Sequence, residues 1–132
     1  MKSTVRLPVV FAAALSLSVL TVGASTPVKA QGGGCEIGPY AACNDADLSG
    51  ADLANRKIRA GQMKRAKLDG ANLRSSDLQG AYLTDATLRK ADLTAASVRG
   101  ATLIGADLSG ATLRRADFAD ARMDGAVLRG AD

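Results

Sequence analysis

Two cysteines, one dense run of cations and a set of evenly spaced aspartates are the residues of this chain that could do chemistry. Cys35 and Cys43 are its only cysteines, and it has no histidine. A zinc site would need more soft ligands than these two thiols. Lipid attachment to Cys35 after Gly33-Gly34 would lie far behind the apolar segment, with no aliphatic residue before the glycines. A disulfide closing a small loop suits an oxidising compartment, where such a loop contributes roughly 2 to 3 kcal/mol on the chain-entropy estimate.

Catalytic chemistry finds little to work with. Without histidine there is no Ser-His or Cys-His nucleophile and no imidazole base. Gly32-Gly33-Gly34 lacks the Lys-Ser/Thr that completes a phosphate loop. Asp47, Asp52, Asp77, Asp92, Asp107 and Asp117 share one place in a repeat, which points to a repeated surface role rather than an acid and base pair. We therefore assign no catalytic residue, metal ligand or cofactor and expect a non-enzyme. That leaves "ANRKIRAGQMKRAKL", residues 54–68, where Arg56, Arg59 and Lys64 are the candidate partner-binding residues. The run reads either as a solvated face or as a docking patch for an acidic partner.

The first 30 of the 132 residues read as a signal peptide. Lys2 and Arg6 make a basic start, Leu7 to Val22 is mostly apolar, and Val28-Lys29-Ala30 supplies the small residues of a cleavage site. Val22-Gly23-Ala24 offers a second cut, and a retained membrane anchor is the competing reading. Cleavage after Ala30 would remove Lys2, Arg6 and Lys29, so that 17 basic residues become 14 against 13 acidic ones and the net charge falls from +4 to +1. Basicity is then no argument for nucleic acid. Beyond the signal only Tyr40, Tyr82 and the core residue Phe118 are aromatic, too few for a stacking platform, so no nucleic-acid partner is expected.

What positions these residues is a period of five. From Ala46 to Ala131 alanine recurs at every fifth position, broken only by Arg56, Gly61 and Ser76. Two residues after each comes a larger apolar residue, from Leu48 to Leu128, without an insertion or deletion. Five matches neither the 3.6 of a helix nor the 2 of a strand. If the chain turned a quarter circle every five residues, both sets would face one axis and twenty residues would close a coil, stacked at about 4.8 Å.

The stretches "ADLSG ADLAN", "AKLDG ANLRS" and "ADLTA ASVRG ATLIG ADLSG" resemble the pentapeptide-repeat proteins, whose motif is A(D/N)LxX. The resemblance covers 46–132, and Ala41 to Asp45 with Cys43 as its first central residue. It implies an all-β fold, a right-handed quadrilateral β-helix of a little over four coils, preceded by a 31–45 cap with the disulfide. Four ladders of apolar residues would then face inward, headed by Leu48, Leu53, Ile58 and Met63. Gln31 to Ala42, including Ile37, Pro39 and Tyr40, would cover the first coil. Phe118, Met123 and Leu128 would lie near an open far edge, through which a homodimer is expected.

With coils of twenty residues, Lys57 faces Asp77, Arg65 faces Asp85, Lys67 faces Asp47 and Asp69 faces Arg89. Arg56, Arg59 and Lys64 are left with no acid above them, and Arg56, standing where alanine belongs, is expected to turn outward and open the first coil. The family includes cytoplasmic members that mimic DNA and bind topoisomerase, but those are long, strongly acidic rods with a dimerising helical end. The expectation here is an exported, non-enzymatic interaction or structural module of the cell envelope, periplasmic or secreted, or in a thylakoid lumen given luminal members of the family. Its partner would be a protein or envelope component. The alternative is electrostatic binding of anionic lipid or polyanion through the basic stretch 56–67.

Overall fold

The computed structural model describes residues 34–132. The signal-peptide expectation for 1–30 and the start of the cap lie outside the described residues.

One turn explains the period. The Leu48 carbonyl accepts the Ala51 N–H at 3.0 Å, and Gly50 between them has φ 67°. Positive φ at the third residue only is the signature of a type II turn. The same sign recurs at every fifth residue from Tyr40 to Gly130. Four such turns bring the chain back over itself, and parallel bridges join residues twenty apart, from Ala42 with Gln62 to Asp107 with Val127. Each side contributes one bridged residue per coil, so the stack is a β-helix built of isolated bridges rather than of long strands. Leu48 donates to the Lys67 carbonyl at 2.7 Å, and Lys67 donates back to the Ala46 carbonyl at 2.9 Å.

Because the turns alternate with one extended residue pair, the central residue of each unit always points inward. Leu53, Ile58, Met63, Leu68, Leu73, Leu78 and their successors to Leu108 are fully buried, in the four ladders expected. Burying each contributes roughly 1.5 to 3 kcal/mol. The alanines pack beside them at the corners. Two breaks in the alanine series have local reasons. Ser76 is buried and its hydroxyl donates to the Leu73 carbonyl at 2.7 Å. At Gly61 a Cβ would come within 2.9 Å of Ile58 Cγ2, so the β-branch of Ile58 occupies the methyl's place.

The third break corrects an expectation. Arg56 does not open the first coil: its N–H donates to the Leu53 carbonyl at 3.2 Å and its own carbonyl accepts from Asp77 at 2.8 Å. The backbone keeps its course while the half-buried side chain lies at the coil surface.

The cap is held by the expected disulfide between Cys35 and Cys43, whose Cα atoms are 5.2 Å apart, and both residues are buried. Cys43 takes the central place of its unit and donates to the Gln62 carbonyl at 2.7 Å. Ile37 packs on the core, but Tyr40 does not cover it: this residue sits at a turn corner with φ 61° and is 77% exposed. At the far edge Leu113, Phe118 and Met123 are only partly buried and Leu128 is 46% exposed. Phe118, Met123 and Leu128 donate no backbone hydrogen bond among the described residues. Phe118 packs against the core from this edge, where the sequence places it.

The turn demands a left-handed residue that the sequence does not always supply as glycine; Ala60, Lys90 and Ala95 have φ of 51°, 55° and 58°. Such a conformation costs an L-residue roughly 1 to 2 kcal/mol, partly offset by glycine's larger entropy loss. Ala95→Gly, at an exposed corner, is expected to raise stability by up to about 1 kcal/mol in urea unfolding. Gly105→Ala should lower it, since the new Cβ would also run into Asp85 Oδ1 and displace that carboxylate.

Candidate functional site

The aspartates are best understood from the amides they serve. In the unit 91–95, the N–H groups of Ala91, Asp92, Leu93 and Ala95 all donate to backbone carbonyls. The amide of Thr94, the second turn residue, has no backbone acceptor there. Asp92 Oδ1 takes it at 2.9 Å. Asp47, Asp77, Asp107 and Asp117 do the same for Ser49, Gln79, Ser109 and Ala119, at 2.9 to 3.1 Å. Where the unit has no such residue, the coil below can substitute: Asn44 accepts the Lys64 N–H and Asp69 the Arg89 N–H, both at 2.9 Å. The recurring carboxylates therefore cap turns.

A carboxylate held this way presents its second oxygen to the next charge. Arg74 reaches Asp92 at 3.0 Å, Arg89 reaches Asp107 at 2.6 Å, Arg99 reaches Asp117 at 3.2 Å and Arg59 reaches Asp77 at 3.6 Å. Arg114 pairs with Asp132 in the same register. The spacing is eighteen residues, not the twenty expected, because the guanidinium leans diagonally to the fixed aspartate rather than straight to the residue above it. Of the vertical pairs expected from the sequence, one gives way to a diagonal pair, one to a vertical pair one coil down, and one survives through a backbone amide. Asp77 is taken by Arg59 instead of Lys57, Arg65 pairs down to Asp45 at 2.6 Å instead of up to Asp85, and Arg89 gives Asp69 its backbone amide and Asp107 its side chain. Lys67 has no ion pair with Asp47.

These contacts hold several carboxyls below their ordinary range. The Ser109 hydroxyl, then the Arg89 guanidinium, lower Asp107 to about 2. Thr94 chiefly lowers Asp92, Ser49 lowers Asp47 and Arg65 lowers Asp45.

The three sequence candidates do not share one surface. Arg59 is not without an acid, being bound to Asp77 and donating to Gln79 Oε1. Lys64 lies around the next corner, exposed, with its charge near Asp45. Arg56 instead joins Lys57 in a cleft of about 610 Å³ between cap and coil, lined by Ile37, Gly38, Pro39, Ala54 and Asn55 besides the two cations. The lining holds no carboxylate, and Lys57 makes no ion pair among the described residues. Sequence reasoning missed Lys57 because it paired it with Asp77, and missed Ile37 and Pro39 because it laid the cap flat on the coil. The recurring Arg to Asp spacing of eighteen was the available signal.

The sequence pattern described as Pentapeptide repeats (8 copies) matches residues 66–103 and 91–130. Among solved structures, a pentapeptide-repeat protein (Rfr23) from the cyanobacterium Cyanothece 51142 is 32% identical, with a TM-score of 0.63 over 67% of this chain and 58% of that one. The chain belongs to the pentapeptide-repeat family. A second pentapeptide-repeat protein, from Nostoc PCC 7120, is 32% identical over 64% of this chain and 81% of that one, with a TM-score of 0.44. A third, from the Arabidopsis thaliana thylakoid lumen, is 30% identical over 69% of this chain and 63% of that one, with a TM-score of 0.34. No curated protein matches the chain. This pentapeptide-repeat chain spans just over half the length of the Cyanothece protein.

In it the motif's D/N position does the turn-capping work described above, which gives a pH dependence. The folded-state values of Asp45, Asp47, Asp92 and Asp107 are depressed, that of Asp107 to about 2, so the unfolded chain takes up these protons near 3.8, before the folded one does. Stability contributed by these aspartates is complete above that range and is lost as pH falls through it. The thermal midpoint should drop across this window, and Asp107→Asn, which keeps an oxygen for the Ser109 N–H but loses the charge, should make the drop shallower.

Proposed function

We propose that this pentapeptide-repeat protein is an exported, non-enzymatic interaction module of the cell envelope, which docks an acidic segment of a partner protein in the cleft between cap and coil. One observation carries the reading: the two cations Arg56 and Lys57 stand in a concave, part-apolar site with no carboxylate in its lining. Concave sites of mixed character are where ligands bind, and Lys57 there makes no ion pair among the described residues. Export is supported by the pattern of residues 1–30 and by a cysteine pair suited to oxidising surroundings. The periplasm, the cell exterior and a thylakoid lumen all meet that requirement. The non-enzymatic part is supported by the use of the aspartates as turn caps and by the absence of histidine.

Attachment to anionic lipid is the weaker form of the idea. It draws on a broad field of unpaired cations, whereas Arg59 and Arg65 are paired here and Lys64 lies on another side.

Expression in a Gram-negative host should place the protein in the periplasm with its N-terminus at Gln31, or at Ser25 if the earlier cut is used; recovery from the cytosol still starting at Met1 overturns export. Used as bait in an envelope extract, the mature chain should retain a partner that Lys57→Glu loses and Lys64→Glu keeps. Equal capture by all three chains moves the docking surface away from the cleft.

A further inference from the structure

We propose that the side of the rod carrying Tyr82 is a second binding surface, which takes a neutral oligosaccharide. This goes beyond the cleft and uses none of its residues. The other three sides each carry diagonal arginine to aspartate pairs: Arg59 with Asp77 and Arg99 with Asp117 on one, Arg74 with Asp92 on the next, Arg89 with Asp107 on the third. The Tyr82 side is different. Its bridged residues run Ala42, Gln62, Tyr82, Thr102 in register, and Asn44, Lys64, Thr84 and Ile104 stand beside them. Up to Ile104 its flat positions hold no carboxylate and one cation, Lys64; the corner beside them carries the Arg65–Asp45 ion pair and Asp85, and the charged pair Arg122 and Asp124 follows only in the next coil.

Both tyrosines of the chain come to this region. Tyr82 is 47% exposed in the middle of the side, and Tyr40 is 77% exposed at the corner that leads into it. They are forty-two residues apart in sequence, and the stacking of coils alone brings them near each other. Each is fixed by its backbone: Tyr40 donates to the Arg59 carbonyl at 2.8 Å, and Tyr82 donates to the Gly61 carbonyl at 2.9 Å and accepts from Met63 at 2.9 Å. Neighbouring coils lie about 4.8 Å apart and alternate residues along a side roughly 6 to 7 Å apart, so amide and hydroxyl groups form a flat grid around the Tyr82 ring. Gln62, Thr84 and Thr102 make no side-chain hydrogen bond among the described residues.

That combination selects a ligand class. An aromatic face covers the C–H face of a pyranose, while hydroxyls and a carboxamide both donate and accept, as sugar hydroxyls do. The charges at its border face one another, Lys64 and Arg65 with Asp45 and Arg65 with Asp85, and the positions around the Tyr82 ring are otherwise neutral, so charge complementarity favours an uncharged ligand. The preformed backbone lowers the entropy cost of holding a flexible chain against the surface.

The test is calorimetric titration of the exported chain with cellotetraose and with fully N-acetylated chitotetraose, both uncharged, at low and high salt. Saturable binding of at least one, unchanged by salt, is expected. Tyr82→Ala should weaken it by about tenfold or more, the scale of a lost aromatic stacking contact, while Tyr82→Phe should largely retain it. Lys57→Glu should leave it unchanged, which separates this surface from the cleft. No saturable binding of either sugar, or equal affinity in a folded Tyr82→Ala chain, overturns the proposal.

Discussion

Everything in this molecule depends on a left-handed residue at every fifth position. With φ positive from Tyr40 through Gly130 in steps of five, the chain turns at four corners per coil, and the ladder of carbonyls and amides closes twenty residues on. The ladder and the core require each other. A coil alone would expose half its backbone groups and all of its central leucines; only stacking satisfies the first and buries the second. The constraint is strong enough that alanine, lysine and arginine accept a conformation they disfavour rather than let the register slip.

The same geometry decides where charge goes. A type II turn leaves its second amide pointing out of the coil, and an aspartate or asparagine two residues earlier takes it. The carboxylate, now fixed, becomes the natural partner for an arginine one coil away. A surface that looks charged in the sequence is in this way converted into a series of internal contacts of the fold. The charges of those residues are committed to turns and neighbours.

Much of this was legible in the residues. The alanine and leucine spacing defined the coil length, the four ladders and the place of Cys43, and the cysteine pair defined the cap. The diagonal pairing was not legible from register alone, since a period of twenty says which residues stack but not which way a long guanidinium leans. Arg56 was misjudged for a related reason: an Ala position constrains the backbone, which the coil hydrogen bonds maintain, but at the end coil the side chain can leave along the cap. The cleft depends on how the cap departs from the coil at Ile37 to Pro39, and no repeat encodes that departure.

A regular solenoid carries little recognition in its regularity, since each coil presents the next with nearly the same outline. Recognition has to reside where the pattern is broken without loss of the core. In this chain the breaks that keep the core intact are of two kinds. At the cap, a side chain and two cap residues replace the flat stacking of one coil on another, which produces a concave site lined by two cations. On the Tyr82 side, the usual aspartate is replaced at Gln62, Tyr82 and Thr102 in three successive coils, which removes the diagonal ion pairs and leaves an aromatic beside Lys64 among neutral hydrogen-bonding groups. Three substitutions in vertical register give one continuous surface, whereas the same substitutions scattered over four sides would give none. The stacking that forms the core therefore also concentrates the exceptions, and it does so in two places whose charge and shape suit different ligands.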